Sequence, residues 1–268
     1  VGMDEPEASI ERLIGQVKPK AMLFEHGRQS ALLHAGARRG LMQLAIERDI
    51  NGRSGSFRLD ARAAEPGQAM AEATHIDDAA ILFKTSGTTA EPKIVALSQA
   101  SLYVSAWAAA DWMGLNESDR SLCVMPFNHL HSLVRSSMPG LLRGGSVVCA
   151  PGFDKYRVLG WLDHCRPTYM TASPGIYREM LARIPADAHL PISTSLRFLA
   201  TGSDRIDEFT VVALQDAFGI PVREFYGLSE ASPMLAATPA GISARQGGAI
   251  GRPIHGWTLA CLDDAGRP

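Results

Sequence analysis

The sequence lacks paired cysteines: Cys123, Cys149, Cys165 and Cys261 stand far apart without CxxC spacing. That argues against a zinc ribbon or a disulfide framework and fits a reduced, cytoplasmic setting. No apolar run approaches the roughly 20 residues needed to span a bilayer, and no signal peptide precedes the first polar residues. Neither charge sign is in excess: 26 Lys and Arg face 28 Asp and Glu, scattered along the chain. A nucleic acid or an anionic membrane therefore finds no electrostatic footprint. Repeats, low-complexity tracts and heptads are also missing, which excludes solenoids, coiled coils and linker proteins. What remains is 268 residues, 46% of them hydrophobic, enough for one large core or two modest ones.

What is present is alternation. Over about residues 9–59, helix-like stretches mix with short apolar runs such as Ala21-Met22-Leu23-Phe24 and Leu41-Met42-Gln43-Leu44. Residues 60–76, rich in Ala, Glu, Gly and Gln around Pro66, read as a surface connection. Beyond it come strand-length runs at 80–83, 94–97, 122–125, 146–149, 168–171, 196–200 and 222–226, with helical segments between most of them. One helix is capped by Ser98. Another runs from Asp207 as N-cap to Gly219 as C-terminal cap, with Phe209, Val212, Ala213 and Phe218 expected on one side. A final strand is expected at 258–262, where it would need a partner to close its pairing. The pattern predicts an α/β fold of mostly parallel sheets covered by helices. Residues 1–76 form a partial first sheet subdomain and connection, 77–256 the α/β core, and 257–268 the start of a β subdomain. A chain that begins at Val1 and stops in a turn at Pro268 is expected to be a piece of a longer protein.

Four short segments carry chemistry. Thr85-Ser86-Gly87-Thr88-Thr89-Ala90-Glu91-Pro92-Lys93 packs four hydroxyls, a glycine and a lysine between two strands. Gly87 lets the backbone approach an anion, successive N–H groups can form a concave nest, the hydroxyls donate, and Lys93 adds a full positive charge, all of which suits phosphate. A Walker A loop is excluded, because Pro92 and Ile94 stand where it needs Gly and Ser or Thr. Tyr226-Gly227-Leu228-Ser229-Glu230 offers a flat ring for a base and a hard carboxylate for Mg²⁺. The same residues approximate a serine-hydrolase elbow at Ser229, with Ala231 replacing the last Gly and no HGGG-like segment upstream. Ala200-Thr201-Gly202-Ser203-Asp204 closes a strand where a parallel sheet presents ligand loops. Pro126-Phe127-Asn128-His129-Leu130-His131 contains a His-x-His, but no other Cys or His cluster supplies further zinc ligands.

In order and spacing, from residue 80 to about 256, these segments resemble the adenylate-forming superfamily of acyl-CoA synthetases, luciferases and peptide-synthetase adenylation domains. Its motifs run close to YTSGTTGxPKG, PLFHxxxL and YGxTE, and Gly248-Ala249-Ile250-Gly251-Arg252-Pro253 resembles its next glycine-rich segment. The resemblance implies an ATP- and acyl-binding core. Thr85, Ser86, Gly87, Thr88, Thr89 and Lys93 would hold the phosphates. Gly202, Ser203 and Asp204 would form the adenine loop, with Tyr226 against adenine beside Gly227. Ser229 would contact the α-phosphate, and Glu230 with Thr88 would hold Mg²⁺. His129 matches a gating histidine, and His131 would join Gly202 and Gly227 in the substrate pocket. Catalytic roles fall to Lys93, Ser229, Glu230 and His129.

The implied reaction is attack of a substrate carboxylate on the ATP α-phosphate, followed by transfer to a thiol, either coenzyme A or the phosphopantetheine of an acyl carrier protein. Amino-acid-activating members carry Asp where this chain has Leu130, so a small plain carboxylic acid is expected. The ribose-binding Asp, the hinge and the C-terminal catalytic Lys would lie beyond Pro268, leaving this chain a poor enzyme alone. Lys84, Ala90 and Ile94 depart from the phosphate-loop pattern and keep a noncatalytic nucleotide-binding relative as the alternative, with a hydrolase using Ser229 behind it.

Overall fold

The computed structural model describes residues 5–27, 30–53, 55–62, 74–85, 93–185, 189–192, 194–231, 234–239 and 250–267. It divides into two compact units, Val1–Ala73 and Thr74–Pro268. In the first, helix α1 (Glu7–Val17) turns Ile10 and Ile14 to one face, one helical turn apart, where they meet Ala35 of α2 (Ala31–Arg38). Between and after these helices run β1 (Ala21–Glu25), β2 (Met42–Arg48) and β3 (Phe57–Arg62). They form a three-stranded sheet in which β1 and β2 are parallel and β3 returns antiparallel. The connection expected from residue 60 therefore begins later, because the backbone of residues 57–62 pairs with β2.

The second unit opens with an antiparallel hairpin, β4 (Ala79–Lys84) and β5 (Ile94–Ser98), a two-stranded sheet of its own. It is not part of the expected parallel sheet. The Ser98 side chain accepts from the Ser101 N–H and starts α3 (Gln99–Met113), as its residue type predicts. There follow β6 (Arg120–Cys123), a π-helical stretch (Ser132–Ser137) continuing into α4 (Met138–Leu142), β7 (Ser146–Cys149), α5 (Val158–Cys165), β8 (Tyr169–Ala172) and α6 (Pro174–Leu181). Then come β9 (Phe198–Thr201), α7 (Glu208–Phe218), β10 (Val222–Tyr226), β11 (Ala236–Ala237) and β12 (Arg252–Pro253). The seven-stranded sheet runs β12-β11-β10-β9-β8-β6-β7; it is parallel from β10 to β7 and antiparallel at β11 and β12.

Strands β8 and β9 are buried throughout, as strands covered on both faces must be. Tyr169, Phe198 and Ala200 pack with Ala109, Ala110 and Met113 of α3, while Met170, Ala172 and Leu199 pack with Leu162, Met180, Val211 and Leu214 of α5, α6 and α7. Side chains alternate across a strand, so α3 covers one face and the other three helices cover the opposite face.

Two expectations fail. On α7, Phe209 is 82% and Val212 41% exposed, whereas Val211, Leu214, Ala217 and Phe218 are buried. The unbroken apolar run Val211-Val212-Ala213-Leu214 supports two stripes, and the sheet selects the one containing Leu214. Residues 258–262 form no strand; only Arg252–Pro253 pairs there, as a two-residue edge. The caps of α7 do hold: Asp207 accepts from the Thr210 N–H at 2.8 Å, and Gly219 adopts the left-handed conformation at φ 65°. Asp207→Ala should therefore cost about 1 kcal/mol, read as a lower urea midpoint with an unchanged slope. Among the described residues, no helix is long and apolar enough to cross a membrane.

Candidate functional site

The ends of the phosphate-type loop are tied together. The Thr85 N–H donates to the Lys93 carbonyl at 2.8 Å and its hydroxyl approaches the same oxygen at 3.3 Å, directly beyond the Lys84–Ile94 pair that closes the hairpin. Lys93 is exposed. Ser86, Gly87, Thr88, Thr89 and Ala90 lie outside the described residues.

The other segments leave the sheet at one edge. Strands β6, β8, β9 and β10 are parallel, so the chain segments after Cys123, Ala172, Thr201 and Tyr226 all emerge at the carboxyl ends, where open α/β sheets hold ligands. After Tyr226, which is 38% exposed, the chain passes Gly227 and makes one 3-10 turn, Ser229–Ala231. That turn lies beside β5, the strand that starts at the residue after Lys93. Glu230 is exposed on it. A nucleophile elbow needs a full helix straight after its serine; here Ser229 opens a turn of three residues, and His131 bonds instead to the hydroxyls of Ser203 and Thr171.

At the end of β9, Gly202 is fixed by sterics: a Cβ there would lie 2.2 Å from Cε2 of Phe225. Ser203 follows at φ 72°, a left-handed conformation that an L side chain adopts at a cost of about 1–2 kcal/mol. What offsets it is a hydrogen bond between its hydroxyl and Nδ1 of His131 at 2.9 Å. Asp204 is exposed, its carboxylate accepting from the Arg205 N–H at 2.7 Å.

The two histidines face opposite surroundings. His129 is exposed, and its N–H donates to the Pro126 carbonyl. His131 is buried: Nε2 meets the Thr171 hydroxyl at 3.1 Å, and that hydroxyl also meets Ser136. Burial, with Arg135 and His129 adding like charge, pushes the His131 imidazole down to about 3. It is neutral across the ordinary pH range and bonded through both nitrogens, which makes it a strut between the Ser203 loop and β8.

Sequence reasoning missed Arg135 and Phe225. Arg135 is 1% exposed, and none of its three guanidinium nitrogens has a hydrogen-bond partner among the described residues. Its guanidinium carbon sits 4.9 Å from the centroid of the Phe225 ring, whose other contacts include the edge-on His131 ring at 5.3 Å. Burial pushes Arg135 down to about 9, so it is still a cation at neutral pH. The sequence signal was faint: Arg135 is the lone charge in the stretch from Leu130 to Met138, four residues after His131, among Leu133, Val134 and three serines.

A family model described as "AMP-binding enzyme" matches residues 1–268. A protein of Humulus lupulus described as a probable CoA ligase is 32% identical over 204 residues, 73% of this chain and 38% of that one. The oxalate–CoA ligase of Arabidopsis thaliana is 31% identical over 72% of this chain and 38% of its own length. Among solved structures, ATP-bound MatB from Rhodopseudomonas palustris superposes with a TM-score of 0.78 at 22% identity, covering 100% of this chain and 51% of that one. An anthranilate CoA ligase in complex with anthranoyl-AMP gives 0.79 at 20% identity, with 100% and 52% covered. The fold is thus shared, and this chain spans well under half the length of the curated relatives it matches.

Proposed function

The chain belongs to the AMP-binding enzyme family, and from that premise we propose that the complete protein uses ATP to convert a carboxylic acid to an acyl-adenylate and then passes the acyl group to a thiol. The observation that carries the reading is the adjacency of the Ser229–Ala231 turn, which contains Glu230, and β5, the strand that Lys93 precedes. In this reading Lys93 as an anion contact and Glu230 as a metal-binding carboxylate would serve one region beside the exposed Tyr226 ring. The relatives' names, covering oxalate, indoleacetate and hydroxybenzoates, all describe acids without an α-amine. The apolar Leu130, buried beside His131, agrees with that, since it offers nothing to an ammonium. Those relatives are all CoA ligases, which favours coenzyme A over a carrier-protein pantetheine as acceptor.

In this reading Lys93 and the loop amides hold the β- and γ-phosphates, Tyr226 stacks on adenine, and Ser229 donates to the α-phosphate as charge builds there. Mg²⁺ would neutralise phosphate charge, held by the exposed Glu230 and by Thr88. No group of three or more His, Cys, Asp or Glu gathers around a metal among the described residues, so most of its ligands would be nucleotide oxygens and water, as Mg²⁺ prefers. His129, exposed near the same edge, serves acyl and thiol entry, while His131 holds Ser203 and the loop of Gly202 and Asp204 in place.

The test is ATP–pyrophosphate exchange by the complete protein with a panel of acids. Exchange should depend on a plain carboxylic acid, and Glu230→Gln should raise the Mg²⁺ concentration for half-maximal rate about tenfold. A noncatalytic relative would bind Mg-ATP and exchange with no acid; that result would overturn the proposal.

A further inference from the structure

We infer that Arg135 is an anion-binding residue of the acid pocket, and that the acid this protein activates is a dicarboxylate whose second carboxylate pairs with the Arg135 guanidinium. This rests on the acid-activation reading above and names its substrate class.

A guanidinium has five N–H donors and no acceptor, and Arg135, 1% exposed, finds no acceptor for its guanidinium nitrogens among the described residues. An uncompensated buried cation strongly destabilises a fold, and an apolar side chain of similar size commonly does better in its place. In the same helical run Leu130 and Val134 are buried and apolar, and the buried Ser132, Ser136 and Ser137 make no hydrogen bond to the Arg135 guanidinium. Among the described residues the Phe225 ring, 4.9 Å away, is what meets this charge and no anion does, so the charge calls for one.

Position identifies where that anion comes from. Arg135 and His131 both pack on Phe225, the residue before Tyr226, and Phe225 fills the space above Gly202. The cation thus sits beneath the loops at the carboxyl edge of the sheet. The π-helical stretch spans it, and such widened turns recur at functional sites. Thr201, next to Gly202, carries a buried hydroxyl that also lacks a partner among the described residues. The ATP phosphates are assigned to the exposed hairpin end and the Ser229 turn, so they do not account for a buried cation. A carboxylate is small, loses water readily when paired, and matches the planar fork of an arginine through two parallel hydrogen bonds. The substrate's reacting carboxylate must face the α-phosphate, so the one that meets Arg135 is the second, at the far end of the acid.

The experiment is pyrophosphate exchange by the complete protein with matched pairs: malonate and propionate, succinate and butyrate, glutarate and valerate, terephthalate and 4-methylbenzoate. The wild type should favour the dicarboxylate by at least about thirtyfold in kcat/KM in one pair or more, and Arg135→Met should erase that ratio, while Arg135→Lys keeps part of it. Without acid, Arg135→Met should melt higher than the wild type, because it removes an unpaired buried charge. Equal use of both members of every pair, a preference that survives in Arg135→Met, or a lower acid-free Tm in that variant would each overturn the assignment of Arg135. Exchange with monocarboxylates alone would overturn it while leaving acid activation intact. Exchange with no acid at all would sink both.

Discussion

Gly202→Val should cut acid-dependent pyrophosphate exchange in the complete protein at least about 100-fold while leaving a folded, less stable molecule. A Cβ at this position would meet Cε2, Cδ2 and Cζ of Phe225 at 2.2, 2.5 and 2.7 Å, distances that packed atoms do not adopt. The ring cannot simply swing away. It meets the Trp112 ring edge-on at 6.4 Å, the His131 ring at 5.3 Å and the Arg135 guanidinium at 4.9 Å. Something must shift by an ångström or so, and because Phe225 directly precedes Tyr226 at the end of β10, the shift reaches the Tyr226 ring. Misplacement of that size at a reacting centre costs about 100-fold, and overpacking of a core ring costs about 1–3 kcal/mol. The two readouts are exchange rate and urea midpoint. Full exchange activity with a lowered midpoint would mean that the nucleotide does not sit over the ends of β9 and β10.

Much of this arrangement could be read from the sequence because its signals are local. Apolar runs of strand length located β4, β5, β7 and β10, and the hydroxyl-rich loop between β4 and β5 was recognisable from residue types alone. The cap residues Ser98, Asp207 and Gly219 marked helix ends because their chemistry acts within one turn. What failed depends on contacts distant in sequence. The buried stripe of α7 is chosen by the sheet beneath it, and a run as apolar as 211–214 cannot declare which stripe that is. The strand expected at 258–262 is an apolar run of strand length but has no partner among the described residues. Arg135, the lone charge between Leu130 and Met138, gave only a faint signal because its serine neighbours suit a solvated helix face, and its burial follows from the fold. The roles of Phe225 and Thr171 exist only where β8, β10 and the π-helical stretch converge.

Asp119→Ala should destabilise the second unit by about 3 kcal/mol, the largest single-residue loss expected from a polar group. Asp119 is 1% exposed just before β6. Its carboxylate accepts from Nε and Nη2 of Arg197 at 3.0 and 2.8 Å, from the Thr168 hydroxyl at 2.6 Å and from the Asn116 N–H at 2.9 Å. Thr168 and Arg197 immediately precede β8 and β9, so one carboxylate ties together the starts of three neighbouring strands. Burial raises the Asp119 pKa, but the Thr168 hydroxyl, the Asn116 N–H and Arg197 together outweigh it and hold the group below the usual carboxylate range. A folded-state pKa below the unfolded value of about 3.9 stabilises the fold above that pH, and the contribution fades as pH falls through the folded value. The urea-midpoint gap between wild type and Asp119→Ala should accordingly be constant from pH 7 to 5 and narrow below about pH 4. Because these contacts sit at the amino ends of the strands, opposite the loops of Gly202 and Tyr226, the KM for ATP of the folded variant should match that of the wild type. A gap that stays constant down to pH 3 would show that the Asp119 charge contributes nothing and that only its packing does.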